Sequence, residues 1–444
     1  MTDKIVRLIQ PLEREETQVI QTAIDQVSQA GGGRVALLAG NHMTRGLHLR
    51  SGVELHLAEG AILRPLPEYE AYGHTTVDVI AEKSDRGMIV ARDAVDIALT
   101  GPGLIDAGGD AFITGDDETV GVFVPAEYRP RVLVLESCQS VRVENLQVSN
   151  SPMWTLHFVN CERVSVRGVQ VRNNLRMPNT DGMVLDACRQ VLIEDCDIAT
   201  ADDGICLKTS IGPSGQAIGR CENILVRRCA VISKSCALKL GTESHGDFTN
   251  VVFEDCDVRE SNRGLGVFSR DGGRFSNIRF SRIALDCHET PDGFWGSGEA
   301  LTVTVIDRRP EKQAGSVENL IVEDITGSME GAMTLISISK AGIRNVALRN
   351  IQVRQVAGPL GTGLRYDLRP TNADLAPSKE AAGRANAWTR GADGKVVGLE
   401  DYPGGMPALF HTGVEKLALT DVRVERPAPL PAGFNAREVV EYVN

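Results

Sequence analysis

Three aspartates occupy two short segments one repeat apart. The first segment reads Asn179-Thr180-Asp181-Gly182 and the second Asp202-Asp203-Gly204. Aligning their Asp-Gly pairs sets Asp181 beside Asp203, 22 residues later, with Asp202 adjoining. Like charges held that close repel, so such a group retains one proton at a raised pKa while another carboxylate stays ionised. That division suits glycoside hydrolysis. An acid protonates the leaving oxygen while a carboxylate on the other face activates water, and a gap of about 6.5–9.5 Å leaves room for the water and inverts the anomeric centre. Two other accounts compete: Asp-Gly and Asn-x-Asp are common turn formers, and calcium neutralises such clusters. One Asp-Gly pair would favour the turn; two in stacked register plus Asp202 favour catalysis.

The stacking rests on a repeat. Val141-x-Val143, Val164-x-Val166, Val191-x-Ile193, Ile224-x-Val226, Val251-x-Phe253, Ile278-x-Phe280, Leu320-x-Val322, Val346-x-Leu348 and Leu417-x-Leu419 alternate with period two, the mark of strands. A second apolar column follows each pair, from Leu146 and Val148 to Val422 and Val424, with Gly327 as its one break. Asn145, Gly168, Asp195, Arg228, Asp255, Arg282, Asp324 and Asn350 separate the two columns and mark a bend. Units this short cannot bury an apolar face alone and must stack on their neighbours. The expected fold class is all-β, a right-handed parallel β-helix (solenoid) with an N-terminal helical cap, and residues 1–444 form a single β-helix domain. Residues 1–60 supply the cap and first strands, with helical spacing over 17–27 before Gly31-Gly32-Gly33. Residues 357–412 interrupt the repeat as an inserted excursion whose Trp388 and Arg390 serve either packing or substrate contact.

Asn179-Thr180-Asp181-Gly182 and Asp202-Asp203 resemble the Asn-Thr-Asp and Asp-Asp motifs of the polygalacturonases and relatives in glycoside hydrolase family 28, inverting β-helix enzymes. The resemblance runs from the cap to about residue 350. It implies Asp202 as general acid, Asp181 and Asp203 as the pair activating water, and Asn179 as a holder of sugar or water. Lys208 looks like a lysine of bacterial exo-acting members, and Lys239 sits at the matching place one coil on. Gly241-Thr242-Glu243 stands where many endo-acting members have Gly-His-Gly, with His245 nearby, and this points to exo action and to Glu243 as a substrate contact. The family's Arg-Ile-Lys triplet, which holds a galacturonate carboxylate, aligns with Gly266-Val267-Phe268. Arg263 and Arg270 flank that segment as candidate replacements, and a neutral or differently charged sugar stays open.

Within Phe294-Trp295-Gly296-Ser297-Gly298-Glu299, Trp295 offers a stacking surface and Glu299 an acceptor for sugar hydroxyls, with a packed glycine-rich turn as the alternative. Trp154, one coil before Asp181, either floors a subsite or packs in the core. The formal net charge of −12 and pI near 5.3 argue against nucleic acid as a partner. No stretch reaches the length of a membrane span and the N-terminus lacks a signal-peptide core. A cytoplasmic protein taking an oligosaccharide substrate is expected, or an extracytoplasmic one if a leader precedes the sequence. The ten cysteines fall mostly at apolar strand positions, as reduced core residues, and neither metal nor cofactor is expected. Two other functions remain: a polysaccharide lyase using calcium carboxylates with Lys208 or Arg263 as base, and a non-catalytic carbohydrate-binding solenoid whose aspartates only shape turns.

Overall fold

The computed structural model describes residues 5–12, 14–118, 121–291, 294–308, 311–371 and 391–442. Short strands stack into parallel ladders that wind as a right-handed parallel β-helix. The register of the first ladder follows the apolar repeat: Val141 faces Val164, then Val191, Ile224, Val251, Ile278, Leu320, Val346 and Leu417 in turn. In the second ladder Val148, Val171, Ile198, Val231, Val258 and Leu285 align likewise. Gly327 breaks that column because a Cβ there would stand 1.8 Å from the Leu285 carbonyl oxygen at a φ of +131°.

The bend residues all take left-handed backbone, with φ between 46° and 62° from Asn145 to Asn350. Asparagine, aspartate and glycine visit that region at least cost. The two arginines at bends gain a partner one coil back, since Arg228 Nε donates to Asp195 at 2.7 Å and Arg282 Nε to Asp255 at 2.7 Å. A further left-handed column, Asn223, Asn250, Asn277, Asn319 and Asn345, links its side-chain amides at 3.1–3.2 Å. Sequence reading passed over this ladder, because polar residues at bends resemble ordinary turns.

A third ladder carries the candidate site. Leu133, Leu156, Met183, Ile205, Leu238, Leu265 and Leu301 point inward into one continuous apolar column. Each such rung, buried from water, contributes roughly 1.5–3 kcal/mol. Alternation then forces His157, Val184, Cys206, Lys239, Gly266 and Thr302 onto the outer face in register.

The N-terminal end is closed by the helix Thr17–Gln29, which buries Ile20, Ala23, Ile24 and Val27 at helical spacing. No described helix is long and apolar enough to cross a membrane. All ten cysteines are free and buried, and Cys196, Cys229 and Cys256 belong to the core column. The excursion is shorter than the sequence implies, because Leu409–Thr412 already forms a rung on Met333–Ser337. Its described part holds an antiparallel pair, Arg365–Asp367 with Leu399–Asp401. Trp388 and Arg390 lie outside the described residues.

Candidate active site

Asp181 and Asp203 precede equivalent rungs, Met183–Asp186 and Ile205–Thr209, and the Gly182 N–H donates to the Asp203 carbonyl at 2.9 Å. Glycine follows each aspartate because a Cβ at Gly182 would lie 2.6 Å from the Gly204 carbonyl oxygen, and one at Gly204 would lie 2.6 Å from that of Ala237. One oxygen from each aspartate and the Cys206 sulfur fall within 4.8 Å of one another. Asp202 accepts the Asp203 N–H at 3.0 Å and the Asn179 N–H at 3.3 Å. All three aspartates are buried at the base of a cleft of about 360 Å³.

Burial, then the Asp202 charge, pushes the Asp181 carboxyl well above the ordinary range. Two lysines oppose that charge. Lys239 Nζ donates to Asp203 Oδ2 at 2.7 Å, and Lys208 Nζ stands 3.8 Å from Asp181 Oδ2 and 2.9 Å from Glu243. Burial works against the charged form of Lys208, yet Glu243 and Asp181 outweigh it and hold the ammonium well above its usual pKa. Such a lysine is a poor proton acceptor, which runs against a lyase base. Glu243 is correspondingly held well below the carboxylate range: Lys208 and then Arg308 overcome its desolvation. Asp181, Asp203 and Cys206 are the described residues with metal-ligand spacing. Calcium prefers six to eight oxygens, whereas this group adjoins a thiol and two ammonium groups.

The other expected contacts divide. Asn179, Arg263 and Trp295 line the cleft with the lysines and Glu243. Arg263 is committed to Asp367 at 2.7 Å and lies 3.5 Å from Glu299. Trp295 has the Arg369 guanidinium 5.4 Å from its ring centroid. Arg270 and Glu299 do not reach the cleft. The Arg270 guanidinium is fully buried and donates to the carbonyls of Ser269, Thr304, Leu368 and Pro370, anchoring the excursion. Glu299, also fully buried, accepts the Ser297 N–H at 2.6 Å. Both lie away from the cleft wall, against the expectation that they contact substrate. Trp154 packs with Ala81, Met153, Val184 and Cys206 and also lines the cleft, where Lys208 stands 4.5 Å from its ring centroid. His245 lines the cleft rim, 3.6 Å from Asp271.

Four charged side chains near the aspartates escaped sequence reading. Glu82 reaches in from the turn between Thr76–Ala81 and Ser84–Arg92 at φ 52°. Its own surface is open to cleft water, but the protein packed around it and then the Glu243 charge push the carboxyl up to about 7. Arg129, buried behind Asn179, donates to the Asn179 side chain and to the carbonyls of Pro152 and Pro178. Arg308 follows Leu301–Val305, and Arg369 comes from the excursion. Only Arg308 left a signal, since Lys208, Glu243 and Arg308 all stand at or just past the ends of rungs in one ladder. At Gly266 the missing side chain makes room for the Phe268 ring, 2.4 Å from where a Cβ would be, and that ring faces the cleft.

Fold and site together define a parallel β-helix protein whose outer face carries a carboxylate and lysine cleft. Residues 67–362 match the profile of glycosyl hydrolases family 28, and the chain belongs to that family. It is 27% identical over 279 residues to a probable polygalacturonase of Vitis vinifera, covering 56% of this chain and 53% of that protein. With the endo-polygalacturonase of Pectobacterium parmentieri it shares 23% over 359 residues, 76% of this chain and 84% of the relative. An exopolygalacturonase structure from Thermotoga maritima superposes with a TM-score of 0.65 at 22% identity, covering 79% of this chain and 87% of that one. The chain spans about half the length of the plant relatives it matches.

Proposed function

We propose that the protein is an inverting glycoside hydrolase that acts, from chain ends, on pectic or related oligosaccharides. The reading is carried by the pairing of Asp181 with Asp203, oxygens within 4.8 Å, next to Asp202 in one cleft. Asp202 protonates the leaving oxygen, and Asp181 with Asp203 activates water on the opposite face. Burial and then the Asp202 charge hold the Asp181 carboxyl high, the crowding of carboxylates that this division of roles requires. A volume of about 360 Å³, near the small end of the roughly 300–1,000 Å³ typical of ligand pockets, supports short substrates taken at an end. The polygalacturonase names of the relatives support a pectic source.

The test is hydrolysis of pectic and neutral oligosaccharides with the product anomer followed by NMR. Asp202→Asn is expected to lose more than about a hundredfold in rate while keeping activity on aryl glycosides whose leaving group needs no proton. Asp181→Asn and Asp203→Asn are expected to lose both. Rescue at Asp181→Asn instead would exchange the roles, and growth of unsaturated-uronide absorbance would replace hydrolysis with elimination.

A further inference from the structure

Among the described residues, every lysine and arginine lining the cleft is already matched to a carboxylate of the chain. Lys239 meets Asp203 at 2.7 Å and Lys208 meets Glu243 at 2.9 Å. Arg308 meets Asp271 at 2.8 Å, while Arg263 and Arg369 meet Asp367 at 2.7 and 2.8 Å. Glu82, Asp181 and Asp202 add further acid to the same walls. An anionic sugar entering this cleft finds each of these cations already in contact with a carboxylate of the chain.

One of those internal partners differs from the others. The side chains of Asp203, Asp271 and Asp367 are 0–2% exposed, whereas that of Glu243 is 32% exposed. Its Oε2 touches Lys208 and its Oε1 lies 3.9 Å from Arg308 Nη1, so the carboxylate sits between an ammonium and a guanidinium. A bound uronate would present its own carboxylate to such a notch in the same way. Lys208 also stands 3.8 Å from Asp181 and over the Trp154 ring, which places the notch against the aspartates.

We infer that Glu243 is a built-in occupant of a carboxylate notch formed by Lys208 and Arg308, and that the glycosyl unit seated beside the aspartates is neutral. The inference rests on the cleft being a sugar site, but its test reads binding and needs no turnover, so a protein that hydrolyses nothing still passes or fails it. Glu243→Ala empties the notch and leaves both cations in place. Acetate, titrated by NMR with thermal unfolding in parallel, is expected to bind this variant at least about tenfold more tightly than the wild type, a preference of about 1.4 kcal/mol. Galactose and galacturonate differ only at C6; the wild type is expected to favour galactose, and the variant to gain at least about tenfold for galacturonate. Glu243→Ser, whose short side chain also vacates the notch, gives the same ordering if the alanine variant does not fold. Equal acetate binding by variant and wild type, or a wild-type preference for galacturonate, overturns the inference. If neither hexose binds, the acetate comparison decides.

Discussion

Arg129 and Asn179, 50 residues apart in the chain, are joined by a 2.8 Å hydrogen bond from the guanidinium Nη2 to the side-chain Oδ1. The same guanidinium donates at 2.9 Å to Pro152 and at 2.7 Å to Pro178. It therefore fixes the loop that presents Asn179, whose N–H in turn donates to Asp202. Burial lowers the Arg129 pKa to about 10, so it stays charged at neutral pH, close to Asp202 and Asp181.

Arg129→Lys keeps the charge but cannot reach three acceptors with one ammonium. Losing these bonds leaves buried carbonyls unpaired at about 1–3 kcal/mol each. We expect kcat to fall roughly tenfold or more and KM to rise as well, because the loss falls on the aspartate geometry and on Asn179, which lines the cleft. Steady-state kinetics separates the two, and an unchanged kcat would show that Asn179 holds its place without Arg129.

Asp367 holds the excursion to the solenoid. It pairs with Arg263 and Arg369 and accepts the Gly296 N–H at 2.8 Å. Asp367→Asn strands two buried guanidinium groups, a change expected to cost about 3–5 kcal/mol. Arg259→Ala, which breaks a pair with Asp257 of 54% and 46% exposed side chains, should cost under about 1 kcal/mol. Denaturant unfolding of the two variants side by side checks the contrast; equal losses would refute it.

His157 lies buried between Arg131 and Asp186, at 2.7 Å and 3.5 Å. Burial, reinforced by the Arg131 charge, lowers its pKa from 6.5 to about 4 despite Asp186. The folded protein then binds fewer protons than the unfolded chain between those values, so this contribution is fully present above pH 6.5 and is lost as pH falls through about 4. The swing is of order 3 kcal/mol. Melting temperature against pH should show the decline, and His157→Gln should flatten it; a variant with the same slope would move the acid sensitivity elsewhere.

The sequence alone determined the coil register of the two apolar ladders, the end cap and the alignment of Asp181 with Asp203. These share a cause. In a parallel solenoid the neighbour in space is the residue one coil away in sequence, so a periodic pattern carries its own tertiary contacts. The same rule misplaced Lys239, which pairs in register with Cys206 and not with Lys208, although its ammonium still reaches Asp203.

Tertiary structure alone decided which charged residues near the aspartates face the cleft. Glu82, Arg129 and Arg369 arrive from turns and an excursion whose paths follow no period, so their spacing in sequence says nothing about where they meet, whereas Arg308 stands just past a rung of the site ladder. Arg270 and Glu299 show the converse, since charged residues near the strand ends of the site ladder carried no sign that other chain segments would bury them. Glu243 needed both sources: its place on the rung is periodic, but its position between Lys208 and Arg308 depends on a loop that only the folded chain brings across.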